Sequence, residues 1–162
     1  MPALLDDGSR PDAYRHGDLE LDRVYLGDEQ VWPPLPLVPM GMDFTGTASV
    51  SSGQTVDVTG FVPRPGFPDT VIDAGTALVI GGPGTIRVHA GASPANAYLR
   101  WRVMHYTAGA WVEQVNVSNG VTGESSDFAV DTGDLLKMTI SSTFSTRSIS
   151  SAYVYFDVIS SG

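Results

Sequence analysis

From residue 42 onward the chain reads as short runs rich in Val, Ile, Thr, Tyr and Phe, recurring about every ten residues and closed by Gly, Pro, Asn or Ser. Several runs alternate. Val154, Phe156 and Val158 share one face of a pleated strand and Tyr153, Tyr155 and Asp157 the other. Leu136, Met138 and Ile140 oppose Leu135, Lys137 and Thr139, and Leu99, Trp101 and Val103 oppose Arg100, Arg102 and Met104. One dry and one wet face mark an antiparallel sheet packed on a second layer, because parallel sheets are covered on both faces. No stretch keeps the 3.6-residue period of a helix, and the 18 Gly and 11 Pro interrupt nearly every window. The pattern predicts strands near 47–50, 54–61, 70–73, 77–81, 85–90, 97–107, 110–117, 125–130, 134–142 and 149–159. The expected fold class is all-β: an antiparallel β-sandwich of jelly-roll type over residues 42–162.

The preceding residues differ in kind. Residues 1–18 mix Asp, Gly, Pro, Arg and His without periodicity, which predicts an extended or disordered arm. Residues 19–32 alternate, break at Gly27-Asp28, and resume at Gln30-Val31-Trp32, as a small β-hairpin would. Two strands bury too little apolar surface to stand alone in water, so this hairpin must dock on something. Residues 33–41, PPLPLVPMG, hold Pro33, Pro34, Pro36 and Pro39 and read as a semi-rigid polyproline linker.

Composition narrows the function. The 162-residue chain has no Cys, which excludes a disulfide framework, a thiolate metal site and a cysteine nucleophile. Eighteen acidic against nine basic residues give a net charge of −9, and the eight Arg are scattered with Lys137 as the sole Lys. Such a chain repels phosphate, so no nucleic-acid partner is expected. The N-terminus lacks the basic start and apolar stretch of a secretory signal, and no run approaches the roughly 20 apolar residues of a membrane span. Synthesis in the cytoplasm without membrane insertion is therefore expected.

Catalytic chemistry finds no constellation. His16, His89 and His105 lack metal-ligand spacing and read as isolated strand or surface histidines. Gly91-Ala92-Ser93 lacks the second Gly of a nucleophile elbow, and the Gly-rich turn at 81–84 does not open a helix that could cradle phosphate. Glu124, Asp127, Asp131 and Asp134 gather around one turn, but without the dense oxygen-ligand spacing of a calcium loop. Neither enzymatic activity nor a cofactor or metal is expected. Aromatic residues are the better surface candidates: Trp101 and Trp111 read as core residues of adjacent strands, while Tyr106, Tyr153 and Tyr155 suit a subunit interface or a sugar-stacking surface.

The segment LDRVYLGDEQVWPP resembles a short motif found near the start of minor tail and appendage proteins of long-tailed bacteriophages, with Val24, Tyr25, Leu26, Gly27, Val31, Trp32 and Pro33 at the matching positions. The order of hairpin, proline spacer and all-β domain is also that of such proteins. GDLLKMTISS and AYVYFDVI are similar in style to the jelly-roll heads of phage fibres and of the tumour-necrosis-factor and complement globular families. The resemblance implies a virion structural protein whose N-terminal arm and hairpin attach to other virion proteins while the sandwich projects outward. It implies a homotrimer with Arg100, Arg102, Tyr153 and Tyr155 as interface candidates, and a head that contacts host-surface glycan, with Tyr106 as a further contact. A capsid decoration protein of the same phage class and a non-catalytic carbohydrate-binding module are the other readings that the composition leaves open.

Overall fold

The computed structural model describes residues 36–162 throughout; of the preceding segment it describes four short strands, by their backbone pairing. The chain divides into two compact units, Met1–Leu35 and Pro36–Gly162. In the first, β1 (Arg15–His16) pairs antiparallel with β2 (Leu19–Glu20), and β3 (Val24–Leu26) pairs with β4 (Glu29–Trp32). One hairpin was expected over 19–32, and there are two. Arg15 and His16, expected within the arm, pair with Glu20 and Leu19. The sequence between the paired strands is Gly-Asp in both cases, at 17–18 and 27–28, a dipeptide suited to tight turns. Residues 1–14 of the predicted arm and 33–35 of the linker lie outside the described residues.

The second unit is a two-layer antiparallel sandwich with no helix. Its strands are β5 (Met40–Val50), β6 (Thr55–Asp57), β7 (Val62–Pro63), β8 (Ile72–Asp73), β9 (Ala77–Val79), β10 (Gly84–Ser93), β11 (Leu99–Thr107), β12 (Ala110–Ser118), β13 (Thr122–Glu124), β14 (Phe128–Val130), β15 (Leu135–Ser142) and β16 (Arg147–Ser161). One sheet runs β13-β10-β16-β5-β7, with β14 beside β10; the other runs β12-β11-β15-β9-β8, with β6 beside β15. Every pairing between these strands is antiparallel, and the architecture is a jelly-roll sandwich.

The core follows the predicted alternation. Val154 and Phe156 of β16 meet Leu136, Met138 and Ile140 of β15 and Trp101 and Val103 of β11 in one buried apolar cluster. Leu37 and Met40 belong to the same cluster, so the end of the Pro-rich stretch packs as part of the sandwich, with β5 starting at Met40 rather than near 47. The segment 54–61 forms a strand only over Thr55–Asp57, with one further bond from the Val58 N–H to the Met138 carbonyl, before Gly60 turns the backbone at φ +90° and gives its N–H to Gly75. The segment near 125–130 holds a break at Ser125. Its buried Oγ accepts the Val88 N–H at 2.9 Å while its own N–H donates to the Val88 carbonyl at 3.0 Å, holding β13 and β14 along one edge of β10.

Phe156 is fully buried at the middle of this cluster. Phe156→Ala is expected to lower unfolding free energy by about 3–5 kcal/mol, measured by urea denaturation against the exposed control Ser148→Ala. A loss no larger than the control's would contradict the core assignment.

Candidate functional site

The site candidates divide between the two layers. Tyr153 and Tyr155 lie on β16 in the first sheet, and Arg100, Arg102 and Tyr106 lie on β11 in the second, so the residues predicted as one interface do not form a single patch. Alternation put each set on the outer face of its strand as expected, but which strands share a sheet is a property of topology.

On the outer face of the first sheet, register sets two tyrosines opposite glycines. Tyr153 is the direct partner of Gly91 on β10, and Tyr155 that of Gly41 on β5. A Cβ on Gly91 would stand 2.6 Å from the Tyr153 ring, and one on Gly41 2.9 Å from the Tyr155 Cβ. The missing side chain at Gly91 gives the Tyr153 ring room against the sheet, and that at Gly41 lets Arg64 and Phe67 close over the Tyr155 stem. Tyr153 and Tyr155 stack with centroids 6.0 Å apart, Phe67 lies 5.8 Å from Tyr155, and His89 stacks on Tyr155 at 4.9 Å. The Arg64 guanidinium covers both tyrosines at 4.9 and 5.2 Å and is anchored by Asp43 at 2.7 Å. Beside Tyr153 is a shallow, largely apolar depression of about 190 Å³ bordered by Asp43, Thr45, Gly91, Ser93 and Ser151. Arg64, Phe67 and His89 complete this surface and had no sequence signal of their own, since only the fold brings them to β16.

A row of charge borders the aromatics. His89 Nδ1 is 3.1 Å from Glu124 and Nε2 is 3.0 Å from Asp157. Arg87 Nε donates to Asp127 at 2.7 Å, and that hydrogen bond, reinforced by the Asp127 charge, holds the guanidinium even further above neutrality than usual. His105 is 2% exposed, with Nε2 at 2.7 Å from Asp134, whose same oxygen also accepts the Asp131 N–H. The described histidines are thus not isolated as predicted; each is paired with carboxylate. Three of the four acidic residues considered as calcium ligands face cations or histidine instead: Glu124 faces His89 and Arg87, Asp127 Arg87, and Asp134 His105. Among the described residues no cluster of His and acidic residues is arranged to hold a metal. The side chain of His16 lies outside the described residues.

The second sheet's candidates are tied to their neighbours. Arg100 Nε donates to Ser118 at 2.9 Å, and Arg102 Nε approaches Glu113 at 3.1 Å. Tyr106 packs on its cross-strand partner Trp111 at 5.1 Å, under Lys137, whose ammonium lies 4.1 Å from the Trp111 ring and pairs with Asp57 at 2.9 Å. Of the two tryptophans expected in the core, Trp101 is 1% exposed and donates Nε1–H to the Gly120 carbonyl, whereas Trp111 is 38% exposed. Trp111 sits on the edge strand β12, directly after the β11–β12 turn, where the outer face meets solvent. In the N-terminal unit, Val24, Tyr25 and Leu26 of the motif form β3, and Val31 and Trp32 end β4. Val24 pairs with Trp32, so the two halves of the motif are cross-strand partners. Gly27 and Pro33 lie outside the described residues.

Gly91→Ala tests the aromatic face. A methyl group there meets the Tyr153 ring and, at 2.8 Å, the Val121 carbonyl. The expected result is a loss of about 1–3 kcal/mol from forced repacking, with a changed near-ultraviolet circular dichroism as Tyr153 leaves the sheet. An unchanged spectrum would contradict the packing described.

No protein-family model matches the chain, and no curated protein does. Among solved structures, the sandwich is similar to that of Eiger TNF from S. frugiperda, at 14% identity over 76% of this chain and 93% of the other, with a TM-score of 0.50. It is also similar to murine APRIL, at 10% identity over 75% of this chain and 100% of the other, with a TM-score of 0.50. At such identities the likeness is one of fold, and it agrees with the jelly-roll sandwich described above.

Proposed function

We propose that this chain is a non-enzymatic virion structural protein, a minor tail or tail-tip component of a long-tailed bacteriophage. It attaches to other virion proteins by its N-terminal segment and presents the β-sandwich as a homotrimer for host attachment. The observation that carries the reading is the motif of Val24, Tyr25, Leu26, Gly27, Val31, Trp32 and Pro33, with its halves paired in β3 and β4. Hairpins of this size need a further surface to be stable, and a neighbouring subunit of a particle supplies one. Support for self-association comes from the aromatic face. Tyr153, Tyr155 and Phe67 form an aromatic strip crossed by the Arg64 guanidinium and bordered by ion pairs, and aromatic rings with arginine are the side chains enriched at protein interfaces. Arg100 and Arg102, tied to Ser118 and Glu113 on the other layer, are left out of that interface.

Two measurements test the proposal. Gold-labelled antibody against the sandwich is expected to decorate the tail tip of intact particles. Label over the capsid would move the protein to the decoration class, and absence from particles would overturn the virion reading. Light scattering of the full chain is expected to give three times the monomer mass. Tyr155→Ser should weaken the trimer about 30-fold, the equivalent of roughly 2 kcal/mol for one central aromatic. A monomeric wild type would refute the trimer.

A further inference from the structure

Strand direction gives the sandwich two distinct ends. β5 runs from Met40 to Val50, about 33 Å at the usual rise of a strand. Pro36–Pro39 therefore lie at one end, together with the β11–β12 turn and the close of β16 opposite Gly84. At the other end four connections cluster: 51–54, 94–98, 119–121 and 143–146. Tyr106 and Trp111 belong to the first end. The far end carries an aromatic group that the sequence reading did not single out.

Phe144 is 65% exposed, more than any other large apolar residue described, and it meets the half-exposed Tyr98 edge-on at 5.3 Å. The loop that presents it is built to do so. The buried Ser142 hydroxyl lies 2.9 Å from the Phe144 carbonyl and 3.0 Å from that of Ser145, and Ser145 is held at φ +48°. The Gly53 N–H donates to the Ser142 carbonyl, the Ser52 hydroxyl to the Thr143 carbonyl, and the Thr143 N–H to the Tyr98 carbonyl, so three of the four connections are laced together. A backbone strained at a non-glycine residue and fixed by a buried hydroxyl points to a role other than packing.

Charge identifies the occupant. Arg64, Arg87, Arg102 and Lys137 each face a carboxylate, and Arg100 gives its Nε to Ser118. Arg147 has no carboxylate partner among the described residues: its guanidinium lies 5.3 Å from the Tyr98 ring, and its Nε is buried without an acceptor. In a chain of net charge −9, this arginine over the Tyr98 ring, which in turn meets Phe144, is a cation without a matching acid. Aromatic faces stack on the C–H face of a pyranose ring, and a guanidinium matches the planar fork of a carboxylate.

We propose that Phe144, Tyr98 and Arg147 form a binding site for an acidic polysaccharide whose sugars carry carboxylates. This rests on the host-attachment reading in one respect, that the end remote from Pro36 is the one turned toward the cell; the site itself is independent of where the protein resides.

Binding of the full chain to oligogalacturonate is compared by calorimetry with binding to the fully methyl-esterified polymer, which keeps the sugar ring and removes the charge, and to a glycerol-phosphate polymer. The expected order is oligogalacturonate first by at least tenfold over either. Phe144→Ser should reduce that binding at least tenfold with an unchanged melting temperature, since the ring is exposed. Arg147→Gln should remove the preference over the ester, and Arg147→Lys should restore only part of it. No binding to any polymer, equal binding of acid and ester, preference for the phosphate polymer, or indifference to Phe144→Ser would overturn the site. Label at the tail tip with no acid binding would sink the site alone, and acid binding without particle label would sink the virion reading alone.

Discussion

The sandwich depends on the pairing of β16 with both β10 and β5. This one strand, Arg147–Ser161, fills the centre of the first sheet, with β10 along one side over Gly84–Ser93 and β5 along the other over Met40–Val50. Because side chains alternate along it, the same hydrogen-bonded register that sends Val154 and Phe156 into the core fixes Tyr153 and Tyr155 on the outside. A slip of one residue would exchange the two sets and place tyrosine hydroxyls in the apolar cluster. Core and candidate interface are thus two faces of a single specification.

The glycines opposite the tyrosines add a second condition. Tyr153 finds Gly91 across from it and Tyr155 finds Gly41, so the Tyr153 ring lies over glycine backbone and the Tyr155 stem, Arg64 and Phe67 close in over Gly41. The electrostatics follow the same economy. His89 is held by Glu124 and Asp157, Arg87 by Asp127 and Arg64 by Asp43, so the outer face of this sheet carries its charge as matched pairs.

What could be read from the sequence is what one strand decides alone. Leu136, Met138 and Ile140 were expected inside from their spacing, as were Trp101 and Phe156, and all are buried. Properties of pairs were not readable. Trp111 obeys the same β propensity as Trp101 but lies on an edge strand, and nothing local to Trp111 says which strand will be the edge. His105 and Asp134 are 29 positions apart, and their 2.7 Å contact exists only because the turn before β15 returns beside β11. The start of β5 was obscured by Pro39, whose neighbours suggested a spacer, although Leu37 and Met40 already carried the apolar signal. The second Gly-Asp, at 17–18, was visible and has the same form as the one recognised at 27–28.

The position of β16 has a consequence for the order of events during synthesis. It follows every other strand of the sandwich in the chain, yet it stands between β10 and β5. Until it leaves the ribosome, those two strands have no neighbour on their facing edges, and the apolar side chains of Met42, Val88 and Phe44 have no completed layer to cover them. The second sheet, whose strands are all made earlier, has no such gap. Tyr153 and Tyr155 arrive on the same last strand, so a nascent chain presents their aromatic face only in the step that closes its fold.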